Sequence, residues 1–324
     1  MAEFKMLKKA WRFALALAVS AGLAVAGEVD VKIEKWPDGK KAAFLLQFDD
    51  GCISQLNNAV PELKKRGMVG TFYVITNAGH FTGNLGRWEK EIPAAGQVLG
   101  NHTFSHKGAQ SVEELDEEVS KAQDTIKRIM KYDKPHLIAF GQPGGVPWKV
   151  SNEDLEKVLK KYDLVNRPPF WGATIHLKNL NDYVQVIDKA VKSGEMGHID
   201  FHGTGGDWLG PKTKEEFVAI IDKVDERKAD LWVTDMISWH QYKKEREGAK
   251  VSAAAAGKDV KVKLECATDA ALYDLPLDVS IAAPKGWKGC KATQGGKEIP
   301  AVLRDGRVVV KAAPVSGEIL VSPK

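Results

Sequence analysis

Short apolar segments alternate with amphipathic segments from about residue 30 to residue 247 of the 324-residue chain. The apolar segments are continuous rather than alternating, as expected for strands that are buried on both faces. The amphipathic segments repeat their apolar positions with the period of a helix. The predicted strands are residues 42–48, 71–75, 136–140, 163–166, 198–201 and 231–234, with another short strand beginning at 98–99. The predicted helices are residues 54–66, 112–131, 152–161, 181–192 and 213–227.

This order of elements predicts an α/β fold. Parallel strands need crossover helices between them, and the alternation supplies such helices along the chain. The number of units favours a (β/α) barrel, complete or distorted, over an open sheet. We therefore assign residues 30–247 to one barrel domain.

The pattern changes after Glu247. Residues 248–257 are mostly small, which predicts a linker. In residues 258–324 apolar and polar positions alternate with period two, as in half-buried strands. Gly295-Gly296 and Asp305-Gly306 are signals for tight hairpin turns. The last segment is therefore predicted to be a small all-β module of the sandwich type.

Residues 1–26 carry the pattern of a secretory signal peptide. Four basic residues precede a short apolar run, and Ala24-Val25-Ala26 offers a cleavage site. An uncleaved membrane anchor is the alternative, but the run is shorter than the about 20 residues that a spanning helix needs. No later segment is long and apolar enough to span a membrane. We expect an exported protein, periplasmic or extracellular, with no stable membrane insertion after cleavage.

The composition, 44% hydrophobic and 28% charged residues, excludes a disordered chain and a polytopic membrane protein. The net charge of +4 at first suggests an anionic partner. The signal segment, however, holds four basic residues and one acidic residue, so the rest of the chain carries 43 basic and 42 acidic groups, a net charge of +1. No arginine-rich stripe with interleaved aromatic residues is present, so nucleic acid is disfavoured as a partner.

The three cysteines leave two possibilities open. Cys266 and Cys290 lie in the C-terminal module and could form a disulfide in an exported protein, and two buried thiols are the alternative. Cys52 is then left over, and the CxxC-type spacing of a zinc–cysteine site is absent.

Four groups of polar residues or glycines follow the predicted strands or lie in the loops beyond them. They are Asp49-Asp50-Gly51, the pair His102 and His106, the glycine-rich segment 141–145, and His202. Because the carboxyl ends of the strands of an α/β barrel meet at one face, we expect these groups to surround one site. Two histidines and a carboxylate with an open position are typical of a hydrolytic metal site.

Each group also has an ordinary structural alternative. Adjacent carboxylates form Asx turns, two histidines four residues apart occur by chance, and glycines end strands in plain turns. His198 rivals His202, but it lies at the far end of the same predicted strand, so we interpret it as structural. Asp200 shares a face with His202 and is a candidate to orient that imidazole.

Together these motifs resemble those of the polysaccharide deacetylases, the NodB homology or carbohydrate esterase family 4 proteins. The resemblance covers residues 35–240. FDDG at 48–51, HTFSH at 102–106 and IDFHG at 199–203 match the family's first, second and last motifs. GQPGG at 141–145 stands where the family has R-x-P-[YF]-G. The family's fold is a distorted (β/α) barrel, which agrees with the alternation of elements.

The resemblance implies a role for each matched residue. A divalent metal ion, usually Zn²⁺ in this family, would have three ligands: Asp50, His102 and His106. Asp49 would be the general base, and the backbone N–H of Gly144 would help to hold the oxyanion. His202 would donate a proton to the leaving amine or alcohol. The implied partner is an acetylated polysaccharide or oligosaccharide.

The third motif departs from the family pattern. Gly141 stands where the family has the arginine that pairs with the base, and Arg87 and Arg167 are candidates to replace it. The family's fourth motif is not placed in this sequence. Trp171 and Trp208 are candidates for cleft walls or sugar-stacking faces, with ordinary core packing as the alternative.

We therefore expect an exported, metal-dependent deacetylase that removes N- or O-acetyl groups from carbohydrate of the chitin, peptidoglycan or xylan type. One alternative is a carbohydrate-binding protein on the same barrel that has lost its activity, and the missing arginine is the point in its favour. Another alternative is a metal-dependent amidohydrolase of small C–N substrates.

Overall fold

The computed structural model describes residues 27–169 and 175–324. The predicted signal peptide and Trp171 lie outside the described residues. Within these residues the chain forms sixteen strands and eight α-helices.

Strands and α-helices are interspersed up to Gly248, and only strands follow. The strands are β1 (Val31–Ile33), β2 (Ala42–Phe48), β3 (Thr71–Val74), β4 (Val98–Asn101), β5 (Ile138–Phe140), β6 (Leu164–Asn166), β7 (Gly197–Phe201), β8 (Leu231–Thr234), β9 (Lys250–Ala256), β10 (Asp259–Glu265), β11 (Leu277–Ala282), β12 (Cys290–Gln294), β13 (Lys297–Ile299), β14 (Ala301–Arg304), β15 (Arg307–Ala312) and β16 (Gly317–Pro323). The helices are α1 (Val60–Arg66), α2 (Gly79–Thr82), α3 (Leu85–Ala94), α4 (Val112–Met130), α5 (Asn152–Lys161), α6 (Leu180–Ser193), α7 (Lys214–Glu226) and α8 (Met236–Gly248).

Strands β2 to β8 form a parallel sheet that curls into a distorted barrel, as predicted. The strand order is β6-β5-β4-β3-β2-β7, and β8 also pairs with β2. Residues 42–45 of β2 pair with β8, and residues 47–48 pair with β3. The barrel is irregular because β8 and β3 both pair with β2, each with a different part of that strand. The α/β fold predicted from the alternation is confirmed.

The side chains of β2 alternate between two cores. Phe44, Leu46 and Phe48 pack against the outer helices. Ala43 and Leu45 lie on the concave face, where α8 and the C-terminal sheets cover the sheet. Both faces of β2 are buried along its whole length, which explains its nearly continuous apolar sequence.

The chain after α8 forms an antiparallel sandwich, as predicted. One sheet has the order β13-β12-β16-β10-β9, and the other has the order β1-β11-β15-β14. The predicted hairpin turns are confirmed, since Gly295-Gly296 joins β12 to β13 and Asp305-Gly306 joins β14 to β15. All four turn residues have positive φ, as a type I′ turn requires.

Two boundaries differ from those predicted. The predicted linker over residues 248–257 is wrong, because Lys250–Ala256 is strand β9 and pairs with β10 along its whole length. Small side chains do not prevent strand pairing, and Ala253 is buried in the sandwich core. Strand β1 lies inside the predicted barrel domain, but it pairs with β11. The chain therefore contributes to the sandwich both before and after the barrel.

Two short helices, the cysteines and the membrane prediction remain to be compared with the fold. The pattern does not predict α2 and α3, whose glycines and Pro93 weaken a helical signal. Cys52, Cys266 and Cys290 are free thiols, so the disulfide considered from the sequence is not formed. None of the helices among the described residues is both long and apolar enough to cross a membrane.

Candidate active site

The predicted polar groups meet at the carboxyl end of the parallel sheet. Asp49 and Asp50 directly follow β2, and Asp50 and Gly51 both have positive φ, near 70°. This left-handed bend turns the chain sharply at the strand end. His102 follows β4, and His202 follows β7, the strand that pairs with β2. The topology therefore brings residues that are far apart in sequence to one edge.

These groups line a cleft of about 440 Å³. Its walls are formed by Asp49, Asp50, His102, His106, Gly144, Gly145, Ile175, His176, His202, Trp208 and Leu209. Six of these residues are predicted site residues, and Trp208 is a predicted cleft wall, 59% exposed. Ile175 and His176 were not expected, because nothing in their local sequence distinguishes them from an ordinary loop.

Asp50, His102 and His106 form a compact cluster. One ligand atom from each lies within 4.8 Å of the other two. Asp50 Oδ1 is 3.4 Å from His102 Nε2 and 3.7 Å from His106 Nε2. It is buried and has no hydrogen-bond partner among the described residues. A carboxylate oxygen and two imidazole nitrogens are donors that a divalent ion such as Zn²⁺ accepts.

The tautomer of His102 supports this interpretation. His102 Nδ1 donates a hydrogen bond to the carbonyl oxygen of Gly141 at 2.6 Å. In the neutral imidazole Nε2 then carries a lone pair and no proton, so it does not satisfy Asp50 Oδ1. A cation between the two atoms would satisfy both, and a second hydrogen bond of this kind is usual for metal-ligating histidines.

The loop that carries His106 is held by α4. Ser105 donates from its backbone N–H and its hydroxyl to the two carboxylate oxygens of Glu118, at 2.8 and 2.7 Å. Asn101 donates from its side chain to the carbonyl oxygen of Val119 on the same helix, at 3.0 Å. Burial lowers the pKa of His106, which favours the neutral form that binds metals.

Asp49 is buried and bound by an arginine that follows the edge strand β6. Nη1 and Nη2 of this residue, Arg167, donate to Asp49 Oδ1 and Oδ2 at 2.6 and 2.7 Å. Such a bidentate pair fixes both the position and the plane of the carboxylate. Burial alone would raise the pKa of Asp49, but the charge and hydrogen bonds of Arg167, together with the nearby His102 and His202, outweigh burial and lower this pKa to about 2. Asp49 is therefore ionised at neutral pH.

Of the two candidates for the missing arginine, the structure identifies Arg167. Arg87 lies on α3 and pairs with Glu91 and Asn57 at the surface. The Arg167 side chain passes over Gly141, where an added Cβ would lie 3.1 Å from its Cζ. Gly141 stands where the family motif has an arginine, and the absence of a side chain there makes room for Arg167.

His202 packs against Trp208 at the mouth of the cleft, with ring centroids 4.9 Å apart. The prediction that Asp200 orients His202 is wrong. Asp200 lies inside β7, two residues before His202. Its Oδ2 is 3.1 Å from His198 Nδ1, and its Oδ1 accepts a hydrogen bond from Gln47. The side chains of Asp200 and His202 do share a face, but the first points into the barrel and the second lies at its rim. His202 Nδ1 has no hydrogen-bond partner among the described residues.

Three residues that support the site carry no motif. His80 Nε2 donates to the carbonyl oxygen of Asp50 at 2.7 Å and so supports its left-handed backbone. Tyr73 lies under the Arg167 guanidinium, with 4.4 Å between Cζ and the ring centroid. Gln47 is the one polar residue of β2. A glutamine within a buried apolar strand indicates a buried polar contact, and it is the only one of these three residues that the sequence marks out.

Comparison with known proteins agrees with the motifs. Residues 37–167 match the family model of the polysaccharide deacetylases. The peptidoglycan-N-acetylmuramic acid deacetylase PdaA of Bacillus subtilis (strain 168) is 24% identical over 178 residues, which cover 47% of this chain and 66% of that protein, slightly less than two thirds.

Solved structures with a similar chain course include an esterase and a pseudoenzyme. The family 4 carbohydrate esterase from Streptomyces lividans has 20% identity and a TM-score of 0.46, over 61% of this chain and 94% of that one. A CE4 family pseudoenzyme from Bacillus anthracis has 19% identity and a TM-score of 0.46, over 61% of this chain and 64% of that one.

Proposed function

We propose that the protein hydrolyses acetyl groups of acetylated carbohydrate with the help of a divalent metal ion, because residues 37–167 match the family model of the polysaccharide deacetylases. One observation carries this proposal. A cluster of three metal-ligand side chains and an ionised, arginine-bound carboxylate line the same cleft.

Asp50, His102 and His106 would hold the metal ion, and Zn²⁺ suits these donors. The buried Asp50 Oδ1, which has no hydrogen-bond partner among the described residues, is the observation that fits a cation best. When bound, the ion supplies Lewis-acid chemistry, by polarising a carbonyl group and lowering the pKa of water.

Asp49 is the general base of this proposal. It lines the cleft beside Asp50, and its ionised state leaves it ready to accept a proton from the attacking water. The bidentate contact with Arg167 holds the carboxylate in one orientation, so that little reorganisation is needed when the proton moves.

His202 and Gly144 act on the other atoms of the acetyl group. His202 lines the same cleft as the ligand cluster and donates a proton to the leaving nitrogen or oxygen. The backbone N–H of Gly144, which lines the same cleft, donates to the oxygen that becomes negatively charged. Trp208 offers an exposed aromatic face at the rim for a sugar ring.

The proposed substrate is an acetylated glycan outside the cytoplasm, with N-acetylated amino sugars before O-acetylated xylan. The curated relative is a peptidoglycan deacetylase, and the first 26 residues have the pattern of an export signal. A periplasmic or extracellular location would give the enzyme access to such polymers.

Acetate release from a panel of substrates tests the proposal. The panel contains chitin oligomers, peptidoglycan, acetylated xylan and small N-acetyl amides, each with and without a chelator. We expect release from a glycan that the chelator abolishes and added Zn²⁺ restores. Release from small amides alone would support an amidohydrolase, and glycan binding without any release would support the inactive binding protein.

A pair of matched variants tests the assignment of the base. Asp49→Asn keeps the shape of the side chain and removes its charge, so we expect acetate release to fall by at least about 100-fold. Asp305→Asn makes the same change in an exposed hairpin turn of the sandwich and should leave the rate unchanged. Full activity of Asp49→Asn would contradict the role of Asp49.

A further inference from the structure

A layer of buried polar side chains lies inside the barrel beneath the cleft. Gln47, Tyr73, His198 and Asp200 are each at most 3% exposed, and none of them lines the cleft. Burying polar groups is unfavourable unless they are paired. The proposed chemistry uses none of the four, so their presence in the barrel interior needs a separate explanation.

The four side chains form a connected network that ends at Arg167. Tyr73 donates its hydroxyl proton to Gln47 Oε1 at 2.7 Å, and Gln47 Nε2 donates to Asp200 Oδ1 at 2.7 Å. The other carboxylate oxygen of Asp200 lies 3.1 Å from His198 Nδ1. Arg167 Nη1, which donates to Asp49, is also 3.8 Å from Asp200 Oδ1.

Arg167 therefore lies between two buried carboxylates. It donates two short hydrogen bonds to Asp49 and keeps a longer electrostatic contact with Asp200. In a solvent-poor interior such a contact is stronger than at the surface. Because Gln47 and His198 already engage Asp200, its charge attracts the guanidinium without taking the hydrogen bonds that Asp49 receives.

Two other contacts restrict Arg167 in different directions. The Tyr73 ring lies against one face of the guanidinium, and Gly141 leaves open the path that the side chain takes. These contacts restrict tilting of the guanidinium. The charge of Asp200, near Nη1, acts on how deeply the guanidinium reaches into the barrel. The depth of Arg167 in turn sets the position of the Asp49 carboxylate.

We propose that Asp200 is a positioning residue that holds Arg167, and through it Asp49, in the orientation that the chemistry needs. Gln47 and His198 keep Asp200 in place. The effect on turnover rests on the proposed function, whereas the effect on Arg167 does not. A network that only stabilised the barrel would change the melting temperature but not the turnover of the folded protein.

The test uses the full chain with Asp200→Asn, which keeps the shape and removes the charge. We expect kcat for acetate release to fall between about 10- and 100-fold, as for a small misplacement of a catalytic group. KM and the affinity for Zn²⁺ should stay within about two-fold, because among the described residues Asp200 neither lines the cleft nor belongs to the ligand cluster. Asp278→Asn is the control, since Asp278 is a buried carboxylate paired with Lys311 in the sandwich.

A second readout does not depend on turnover. Nitrogen-15 NMR follows the side-chain N–H signals of Arg167, assigned by their loss in Arg167→Lys. We expect these signals to shift and broaden in Asp200→Asn and to stay unchanged in Asp278→Asn. Absence of acetate release from the unchanged protein would count against the proposed function alone, because the NMR comparison still decides whether Asp200 holds Arg167.

Tyr73→Phe serves as a gentler variant if Asp200→Asn does not fold. It keeps the ring under Arg167 and removes only the hydrogen bond to Gln47. We expect a loss in kcat of about two- to five-fold with unchanged KM, which corresponds to one hydrogen bond of ordinary strength acting indirectly. Unchanged Arg167 signals in either folded variant, or unchanged kcat with only a lower melting temperature, would overturn the proposal.

Discussion

The side chain of Arg167 occupies the space that any side chain at Gly141 would need. A Cβ added to Gly141 would lie 3.1 Å from Arg167 Cζ and 2.9 Å from Tyr73 Cδ1. The backbone of Gly141 also accepts the hydrogen bond of His102. One glycine therefore allows the arginine to reach Asp49 and fixes the tautomer of a candidate metal ligand.

Gly141→Ala should impair the site more than the fold. The new methyl group displaces Tyr73 or Arg167, so we expect acetate release to fall by at least about ten-fold and stability to fall by about 1 to 3 kcal/mol. Kinetics and thermal denaturation measure both effects. Gly86→Ala on α3 is the control, because an added Cβ there meets open space and the helix should gain stability. Normal turnover of Gly141→Ala would show that the close approach is not needed.

Replacing Arg167 distinguishes its geometry from its charge. Arg167→Lys keeps the charge but donates through a single ammonium group, so the carboxylate of Asp49 is no longer held in one plane. We expect kcat to fall by about 10- to 100-fold. Arg87→Lys changes the other candidate arginine, which is paired at the surface, and should leave kcat unchanged. If kcat in a steady-state assay fell in Arg87→Lys and stayed unchanged in Arg167→Lys, Arg87 would be the partner of the base.

Much of the site could be predicted from the sequence, because residues that follow the strands of a parallel barrel lie close together at one end of it. Asp49, His102 and His202 each follow a recognisable strand, and parallel strands bring their carboxyl ends to one face. The same rule does not predict which arginine reaches the base. Arg167 and Arg87 are both candidates from the sequence, and only the structure distinguishes them, since Arg167 donates to Asp49 and Arg87 donates to Asn57 at the surface.

Where the local side-chain pattern and the pairing in the fold disagree, the sequence prediction is wrong. Lys250–Ala256 looks like a linker because its side chains are small, but its backbone pairs with β10. Asp200 lies on the same face of β7 as His202, but it contacts Gln47 of β2 and His198 at the start of β7. Backbone pairing decides the first case and contacts with neighbouring side chains in the fold decide the second, and the local pattern contains no information on either.

The ligand cluster predicts specific metal binding. Titration of the chelator-treated protein with Zn²⁺ should show one site, and Zn²⁺ at 100 times its dissociation constant should stabilise the fold by about 2.7 kcal/mol. His106→Ala removes one ligand and should weaken binding by at least about 100-fold. His176→Ala is the matched control, since His176 lines the cleft outside the cluster. Equal Zn²⁺ affinity of the two variants would argue against the cluster.

Glu245 predicts a pH dependence of stability that is unrelated to the site. It is buried on α8, accepts the backbone N–H of Leu275 at 3.2 Å, and burial raises its pKa to about 7. A pKa raised on folding stabilises the protein at pH values below the unfolded pKa, near 4.3, and this contribution is lost as pH rises through about 7.

Glu245→Gln should remove this dependence. The neutral amide mimics the protonated acid, so at pH 8 to 9 we expect a gain on the order of 1 kcal/mol and a flatter curve of melting temperature against pH. Glu247→Gln changes an exposed residue of the same helix and should leave the curve as it is. Parallel curves for the unchanged protein and Glu245→Gln would mean that Glu245 is ionised in the fold at neutral pH.

The shared core predicts that the barrel does not fold well without the sandwich. Tyr242 on α8 donates its hydroxyl proton to the carbonyl oxygen of Glu34, next to β1, and β1 pairs with β11. A chain cut after Gly248 exposes the concave-face core and leaves β1 without its partner, so we expect aggregation or loss of a cooperative melting transition. The control is the chain from Gly27 to Lys324, which contains all described elements and should melt cooperatively. A monomeric chain ending at Gly248 that melts at the temperature of this control would show that the barrel is stable by itself.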